Sequence, residues 1–446
     1  MKAIELRLLA GSLWVLAGVV WPLPAGATPQ PLTLAQAIEL VSANHPNSQA
    51  VELQARQAAL ALADARAQRW QLSADLAAQT LYSRSGITGN VQANSDLSQP
   101  LANGTIGLSI PLFDGFKLAH SIAATERNWE VSQAQRKVTL ADLRWQVTHA
   151  FWKLREAELL EESQRQTLVQ TEQIQRFAKA AAAAGRKSPN EVDQAAAAVL
   201  AAQSERLLSA GKTAQARLDL ASLLGSTSAD LVIVGDPAQL PPNTARLENS
   251  VSTARVAVSD RQPAVAIARA RLAEAASRYE SSKGDRWPSV NFVTTYQHGN
   301  NPLQAISGAR GLASFSGTFD ARIAATFNLF DTGKSQRASE RAELEWQASQ
   351  IALSRAMLQA RADLERANIR ASSAQGRLAI TQKSLELAQR NYQWAKARYE
   401  QGYALMVEVA EAQTKQIAAR NQHIAAMVEQ QIAHAELERS LGDFGE

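Results

Sequence analysis

Gly333-Lys334-Ser335 is the tripeptide that ends a phosphate-binding loop, so it is the first place in this 446-residue chain to look for nucleotide chemistry. Such a loop also needs a glycine five residues before its second glycine. Asn328 stands at that position, and no strand, loop and helix of the required kind surround it. The six histidines, His45, His120, His149, His298, His423 and His434, show no metal-ligand spacing, and with no cysteine the chain has neither thiolate ligands nor disulfides. Glu161 and Glu162 are adjacent, so a helix points them apart and they cannot work as a pair. No catalytic constellation emerges, and neither a metal nor a cofactor is expected.

The informative pattern is repetition. Leu112-Phe113-Asp114-Gly115 returns as Leu329-Phe330-Asp331, followed by Thr332-Gly333, at an offset of 217 residues. The same offset carries Pro46 onto Pro263, Trp70 onto Trp287, Gly185 onto Gly402, Glu191 onto Glu408 and Gly225 onto Gly442. A period this long marks a duplicated module, not a solenoid.

Lys2 and Arg7, an apolar run from Leu8 to Trp21, and Ala25-Gly26-Ala27 form a secretory signal, with residues 1–27 removed and Thr28 left as the mature N-terminus. No cysteine follows to take a lipid anchor. Beyond the signal no run of about 18 apolar residues occurs, so a membrane crossing would have to use strands. The net charge of +4 comes without a dense Lys/Arg cluster, which argues against nucleic acid as a partner.

Two tandem copies are expected, each a helix, a β-hairpin and a long helical hairpin. The first spans 28–228, with its β-hairpin at about 70–113 and its helical hairpin at about 117–224; the second spans 250–446, with corresponding parts at about 287–330 and 332–441; residues 229–249 link them. Leu72, Ala74 and Leu76 alternate with Gln71, Ser73 and Asp75, a period of two. The return strand alternates from Thr105 to Leu112 after a polar loop at 84–104. In the second copy Phe319, Ala321, Ile323, Phe327 and Leu329 alternate with Asp320, Arg322, Thr326 and Asn328, after a loop at about 299–316. This alternation fits a soluble antiparallel sheet with one wet face as well as a transmembrane barrel. The signal and the long helices favour the membrane. There Asp75, Asp320 and Arg322 would face a water-filled lumen. Four strands cannot close a barrel, so the chain must oligomerise.

Residues 117–184 and 332–401 contain no proline, and about 70 helical residues reach about 100 Å. Val131, Val138, Trp145, Trp152 and Leu159 fall at intervals of seven. So do Leu344, Ile351 and Leu358, and, after a one-residue slip, Leu364, Ala371, Leu378, Leu385, Tyr392 and Tyr399, a coiled-coil spacing. Gly185 and Gly402 end the two long helices, and shorter helices run back over about 190–224 and 406–441.

In these features the mature chain resembles the TolC-type outer-membrane channel proteins. The most specific parts are the strand-to-helix turns (Phe113, Asp114, Gly115; Phe330, Asp331, Gly333) and the tips, where Gly185 leads to Glu191-Val192 and Gly402 to Glu408-Val409. The resemblance implies a mostly α protein with a transmembrane β-barrel portion: a homotrimer pooling four strands per chain in one twelve-stranded barrel above an α-helical coiled-coil tunnel. It implies a passive conduit in the outer membrane and its lipid, extending into the periplasm and serving a tripartite efflux or type I secretion system. Its partners would be a periplasmic adaptor and an inner-membrane pump of the RND, MFS or ABC type. It places Glu191, Glu408 and Glu411 at a closable aperture, and adaptor contact at Gly185, Gly402, Val192 and Val409. Glu408 and Glu411, three apart, share a helix face, and threefold symmetry would make them acidic rings that favour cations. Ala404 stands where relatives can carry a basic residue. The alternative is a trimeric coiled-coil surface or structural protein without a channel.

Overall fold

In the computed structural model the described residues are 32–83, 97–225, 233–237, 262–300 and 315–441. The signal, the loop tips and most of the linker of the sequence reading lie outside them. The elements are α1 (Leu34–Asn44), α2 (Pro46–Ala67), β1 (Gln71–Ser83), β2 (Leu97–Phe113), α3 (Lys117–Ala183), α4 (Pro189–Leu223), α5 (Pro263–Lys283), β3 (Ser289–Asn300), β4 (Phe315–Thr326), α6 (Lys334–Glu400) and α7 (Met406–Leu441).

Thr33 caps α1 in a reciprocal box with Gln36, and Pro46 and Pro189 begin α2 and α4, where a missing N–H costs nothing. α3 and α6 are each 67 residues long, about 100 Å of helix. They leave the sheet through matched turns. Gly115 and Phe116 have φ of 65° and 64°, and Thr332 and Gly333 have 56° and 76°. In each turn the aspartate of the repeated motif caps the helix it precedes. Leu118 N–H donates to Asp114 Oδ2 at 2.7 Å, and Ser335 N–H to Asp331 Oδ2 at 2.8 Å. Hydrogen bonds from Ser335 and Gly333 hold the Asp331 carboxyl below the usual carboxylate range, so its cap is fully present above that range and is lost as pH falls through the lowered value.

The strands form one antiparallel sheet in the order β1-β2-β3-β4, leaving β1 and β4 as free edges. Its register sorts polarity over the half of the strands next to the helices, with Val293 on the polar face and Thr294 on the apolar face as exceptions. Gln71, Ser109, Val293 and Arg322 lie in one row, Ser73, Gly107, Thr295 and Asp320 in the next, and Asp75, Thr105, Gln297 and Thr318 in the third. Asp75, Asp320 and Arg322 thus share a face, and Arg322 pairs with Asp320 at 3.2 Å. The other face carries Leu72, Ile106, Leu108, Ile110, Phe292, Phe319 and Ile323. Two boundaries differ from the sequence reading. β2 begins at Leu97 instead of about 105, because its partner β1 supplies backbone groups that its Gly/Asn-rich sequence does not advertise. β4 ends at Thr326, so Phe327 and Leu329 lie beyond the strand.

The helices pack around α3, which touches α1, α2, α4, α5 and α7. Among the described residues no large core forms. A string of small clusters runs along the length, the largest joining Val41, Val147, Phe151, Leu154, Leu220 and Val428. Alanine does much of the close packing, as where Ala367, Ala371 and Ala374 of α6 meet Ala433 of α7. Surface ion pairs such as Arg377–Glu429 and Arg370–Glu436, both 2.6 Å, add little energy each but fix the register of α6 against α7. The heptads divide. Val131, Trp152, Leu364, Ala371, Tyr392 and Tyr399 are buried, whereas Leu344, Ile351 and Leu358 are 65%, 65% and 68% exposed. Among the described residues no helix is long and apolar enough to cross a membrane.

The glycines of the turns and tips separate two kinds of constraint. At Gly115 a Cβ would sit 2.8 Å from Trp287 Cβ on a left-handed backbone, whereas at Gly185 nothing lies within 4 Å. Gly185→Ala should therefore cost only the backbone penalty of about 1–2 kcal/mol. Gly115→Ala should cost visibly more, read as a larger drop in the melting temperature of the detergent-purified protein; equal drops would remove the close-approach argument.

Candidate aperture at the hairpin tips

Both helical hairpins turn in the same way. Gly185 N–H donates to Ala182 C=O and Arg186 N–H to Ala181 C=O, both 2.9 Å; Gly402 N–H donates to Tyr399 C=O at 3.1 Å and Tyr403 N–H to Arg398 C=O at 2.8 Å. This is the Schellman pairing, which needs a left-handed residue at the glycine, and φ is 69° at Gly185 and 86° at Gly402. Ser188 then caps α4 by accepting from Glu191 N–H.

The tips are fastened together. Ile174, Ala178, Ala195, Tyr392, Tyr399, Ala404, Met406 and Val409 form one buried cluster drawn from α3, α4, α6 and α7, with Val192 packed against it. Val409, expected from sequence at the adaptor contact, is 0% exposed; it sits at an inward position of α7 and joins the two hairpins. Deeper in, Gln413 donates to Thr171 across the same interface at 2.9 Å.

Two tyrosine hydroxyls lie inside this cluster, and that of Tyr399 joins the two hairpins. Tyr399 is 1% exposed, and its hydroxyl donates to Glu191 Oε2 at 3.2 Å. Lys187 Nζ reaches the same oxygen at 3.2 Å and lies 4.2 Å from the centre of the Tyr399 ring, while Phe177 packs edge-on to that ring. Burial, followed by the negative charge and hydrogen bond of Glu191, pushes the Tyr399 hydroxyl up to about 12. It therefore stays a neutral donor throughout the physiological range. The arrangement is a latch in which α3–α4 supplies the carboxylate and its counter-charge and α6 supplies the hydroxyl.

The equivalent glutamate of the second copy is placed differently. Glu408 is exposed; one of its carboxylate oxygens accepts from Leu405 N–H at 3.3 Å, and the other lies 3.9 Å from Arg398 Nη1. Glu411 is also exposed, one turn on, beside Lys415 in shallow grooves between α7 and its neighbours α4 and α6. The structure thus brings Glu408 and Glu411 together on an open face and sets Glu191 apart in the latch. The positive charge absent at Ala404 comes from elsewhere, as Lys187 beside Glu191 and Arg398 near Glu408. Tyr399, Lys187 and Arg398 are the members that sequence reasoning misses. Heptad spacing alone gave only a partial signal for Tyr399: a buried tyrosine usually finds a partner for its hydroxyl, yet Tyr392, one heptad earlier in the same cluster, is buried without one.

Paired helices of this length, fastened at their tips and carrying a two-faced sheet with free edges, define the architecture of an outer-membrane channel-tunnel. The comparisons agree. The family model described as outer membrane efflux protein matches residues 37–226 and 256–443, and the chain belongs to that family. It spans the outer membrane and extends into the periplasm. The protein CyaE of Bordetella pertussis is 27% identical over 441 residues, covering 96% of this chain and 88% of its own. The fold is shared with the outer membrane protein VceC of Vibrio cholerae (16% identical, 92% of this chain and 96% of that one covered, TM-score 0.76). It is also shared with the open state of the MtrE outer membrane channel of Neisseria gonorrhoeae (19% identical, 92% and 88% covered, TM-score 0.71).

Removing the latch hydroxyl with Tyr399→Phe should cost about 1.5–3 kcal/mol of local hairpin pairing, the range for a hydrogen bond to a charged group. Hydrogen–deuterium exchange should then quicken in segments 187–192 and 398–408 and stay unchanged in the strands. Unaltered exchange at the tips would show that the hydroxyl holds nothing.

Proposed function

We propose that three copies of the chain form a closed conduit through which substrates delivered by an inner-membrane pump and a periplasmic adaptor leave the cell, in efflux or type I secretion. The observation that carries this reading is the sorted sheet. A face that gathers Asp75, Asp320 and Arg322 beside a face of Leu72, Ile106, Phe319 and Ile323, itself bare in the single chain, suits lipid outside and water inside. Asp75, Asp320 and Arg322 then line the lumen. The soluble-sheet alternative leaves that apolar face with nothing to cover it.

The helices support a ring. On α6 the exposed residues Leu344, Ile351, Leu358, Ile369, Ile380, Leu387 and Trp394 recur at intervals of seven and eleven. At about 100° per residue these steps drift in opposite directions, so the seven stay within a band about 40° wide. α4 and α2 pack on α3, whereas α6 packs on α5 and α7, and on that other side of the chain Leu200, Leu207 and Leu218 of α4 and Leu53 and Leu60 of α2 are also exposed and also at steps of seven and eleven. α4 followed by α2 climbs from tip to sheet over the length that α6 descends. One chain's α6 therefore meets the next chain's α4 and α2, and the ring closes head to tail.

Within that ring Glu408 and Glu411 repeat as acidic belts at the periplasmic mouth, where they favour cations. Glu191 acts from one step back, holding the two hairpins in one arrangement through Tyr399 and Lys187. Adaptor contact falls on the exposed surface around Gly185 and Gly402 and on the grooves lined by Gln194, Val407 and Glu411. The chain supplies the path, and the partners supply drive and selection.

Single-channel recording in planar bilayers tests the reading. Wild-type protein should give discrete, cation-preferring steps, and Glu408→Gln combined with Glu411→Gln should keep the steps and lose much of the preference. A trimeric, membrane-inserted sample whose selectivity ignores both substitutions would remove the carboxylates from the aperture. A monomeric sample would remove the conduit.

A further inference from the structure

The duplication places the same junction in the chain twice, and only one of the two is made within it. In the made junction, the turn after β2 sits on the segment between α5 and β3. The ring of Phe113 lies edge-on to Trp287 at 6.5 Å, Lys117 Nζ meets Asp285 Oδ1 at 2.5 Å, and Ser281 Oγ donates to Lys117 C=O at 3.1 Å. The fit is close enough that a Cβ on Gly115 would fall 2.8 Å from Trp287 Cβ and 2.9 Å from Gly284 O.

Shifted by 217 residues, the turn becomes Phe330–Lys334 and the seat becomes Asp64–Trp70. Both keep the local conformation of their counterparts. Trp70 N–H donates to Ala67 C=O at 2.9 Å as Trp287 N–H does to Gly284 C=O at 3.0 Å. Lys334 N–H donates to Asp331 C=O at 3.1 Å as Lys117 N–H does to Asp114 C=O at 3.4 Å. Yet this second turn and second seat stand apart, at opposite edges of the sheet. The turn shows the difference: Leu329 and Phe330 are 88% and 87% exposed where Leu112 and Phe113 are 56% and 37%, whereas Trp70 and Trp287 are alike at 67% and 62%. A turn without its seat lies on the β4 edge, and a seat without its turn on the β1 edge.

We propose that each chain's spare turn docks on the next chain's spare seat. Phe330 then lies against the neighbouring chain's Trp70, and Lys334 reaches its Gln68. The occupant is a second copy of this chain because the chain already contains the matching pair in docked form. The inference rests on the trimeric reading above and deepens it by fixing which residues meet at the seam and in which direction the ring runs. It also predicts a difference between the two junctions. Thr332 and Ala67 carry Cβ atoms where Gly115 and Gly284 have none, so the seam between chains must sit wider than the junction within a chain. Gln68 replaces Asp285, so the seam also lacks the ion pair.

Because the chain has no cysteine of its own, introduced pairs report cleanly. With Trp70→Cys and Thr332→Cys together, the docked Cβ atoms should lie about 4 Å apart, within disulfide range, and oxidation should convert most of the protein to a covalent trimer on a non-reducing gel. Each single variant should stay monomeric on that gel. Should loss of Trp70 impair assembly, Gln68→Cys with Lys334→Cys, bridged by a short bismaleimide, tests the same seam at exposed polar positions. A second measurement needs no cysteine: Gln68→Asp restores the ion pair and should raise the temperature at which the trimer falls apart in detergent. Native trimers that cross-link through neither pair and do not respond to Gln68→Asp would overturn the seam and leave the trimer standing. A wild-type protein that is not trimeric in its native state would overturn the trimeric reading itself.

Discussion

A strand edge in hydrocarbon is the constraint on which this structure depends. Each unpaired backbone group there costs several kcal/mol, and a four-stranded sheet has two rows of them, on β1 and β4. The four described strands of one chain cannot remove both rows, so the sheet's edges must be closed by other copies. The rest of the architecture can be derived from that closure. The polar face is tolerable only if the closed sheet encloses water, and the apolar face only if lipid surrounds it. The helices below must then form a ring of the same order, which is why two flanks of the helical body remain apolar and uncovered in the single chain.

Duplication makes such a ring simple to build. When each chain holds two copies of one unit, the contact between copies inside the chain is also a template for the contact between chains. The two have diverged in a physically consistent direction. Inside the chain, where the partners are always present, Gly115 and Gly284 permit close approach and Lys117–Asp285 adds an ion pair. At the outer edges the corresponding residues are Thr332, Ala67 and Gln68, which suit a contact that must form between separately folded chains. The body of the molecule is built to match. Its alanine-rich packing lets 67-residue helices run close together, but it concentrates little stability at any one point, so many small clusters share the load.

Much of this was legible in the amino-acid sequence, because the signals were long and periodic. Alternation in the strands, glycine at Gly185 and Gly402 and the repeated aspartate turn all reflect local backbone requirements, which a sequence carries directly. What was not legible depended on partners distant in the chain. β2 starts at Leu97 because β1 lies beside it, not because its own residues favour a strand. Leu344, Ile351 and Leu358 carry the same heptad spacing as the buried positions further along α6, and spacing cannot say whether a stripe is covered by the same chain or by another. Val409 looks from sequence like a surface residue beside an acidic site, but α3 and α6 bury it. The pairing of Tyr399 with Glu191 joins residues 208 positions apart, and no local pattern announces it.

The latch also gives the two halves of the duplicated tip different work. Glu191 and Glu408 began as the same position, yet one is tied to a buried tyrosine and a lysine while the other stands in solvent beside a distant arginine. A carboxylate held by a neutral donor and a cation contributes to where the hairpins sit, since its charge is answered within the chain. On the proposed reading, an exposed carboxylate with only a loose 3.9 Å contact to Arg398 contributes to what the mouth attracts. On the same proposed reading, dividing the roles would let the geometry of the tip change, by parting Tyr399 from Glu191, without altering the charge that Glu408 and Glu411 present. Glu408 and Glu411 are also not members of the buried cluster around Val409, so substituting them removes none of its contacts. Position and charge at the mouth can therefore be set independently, although both descend from one repeated glutamate.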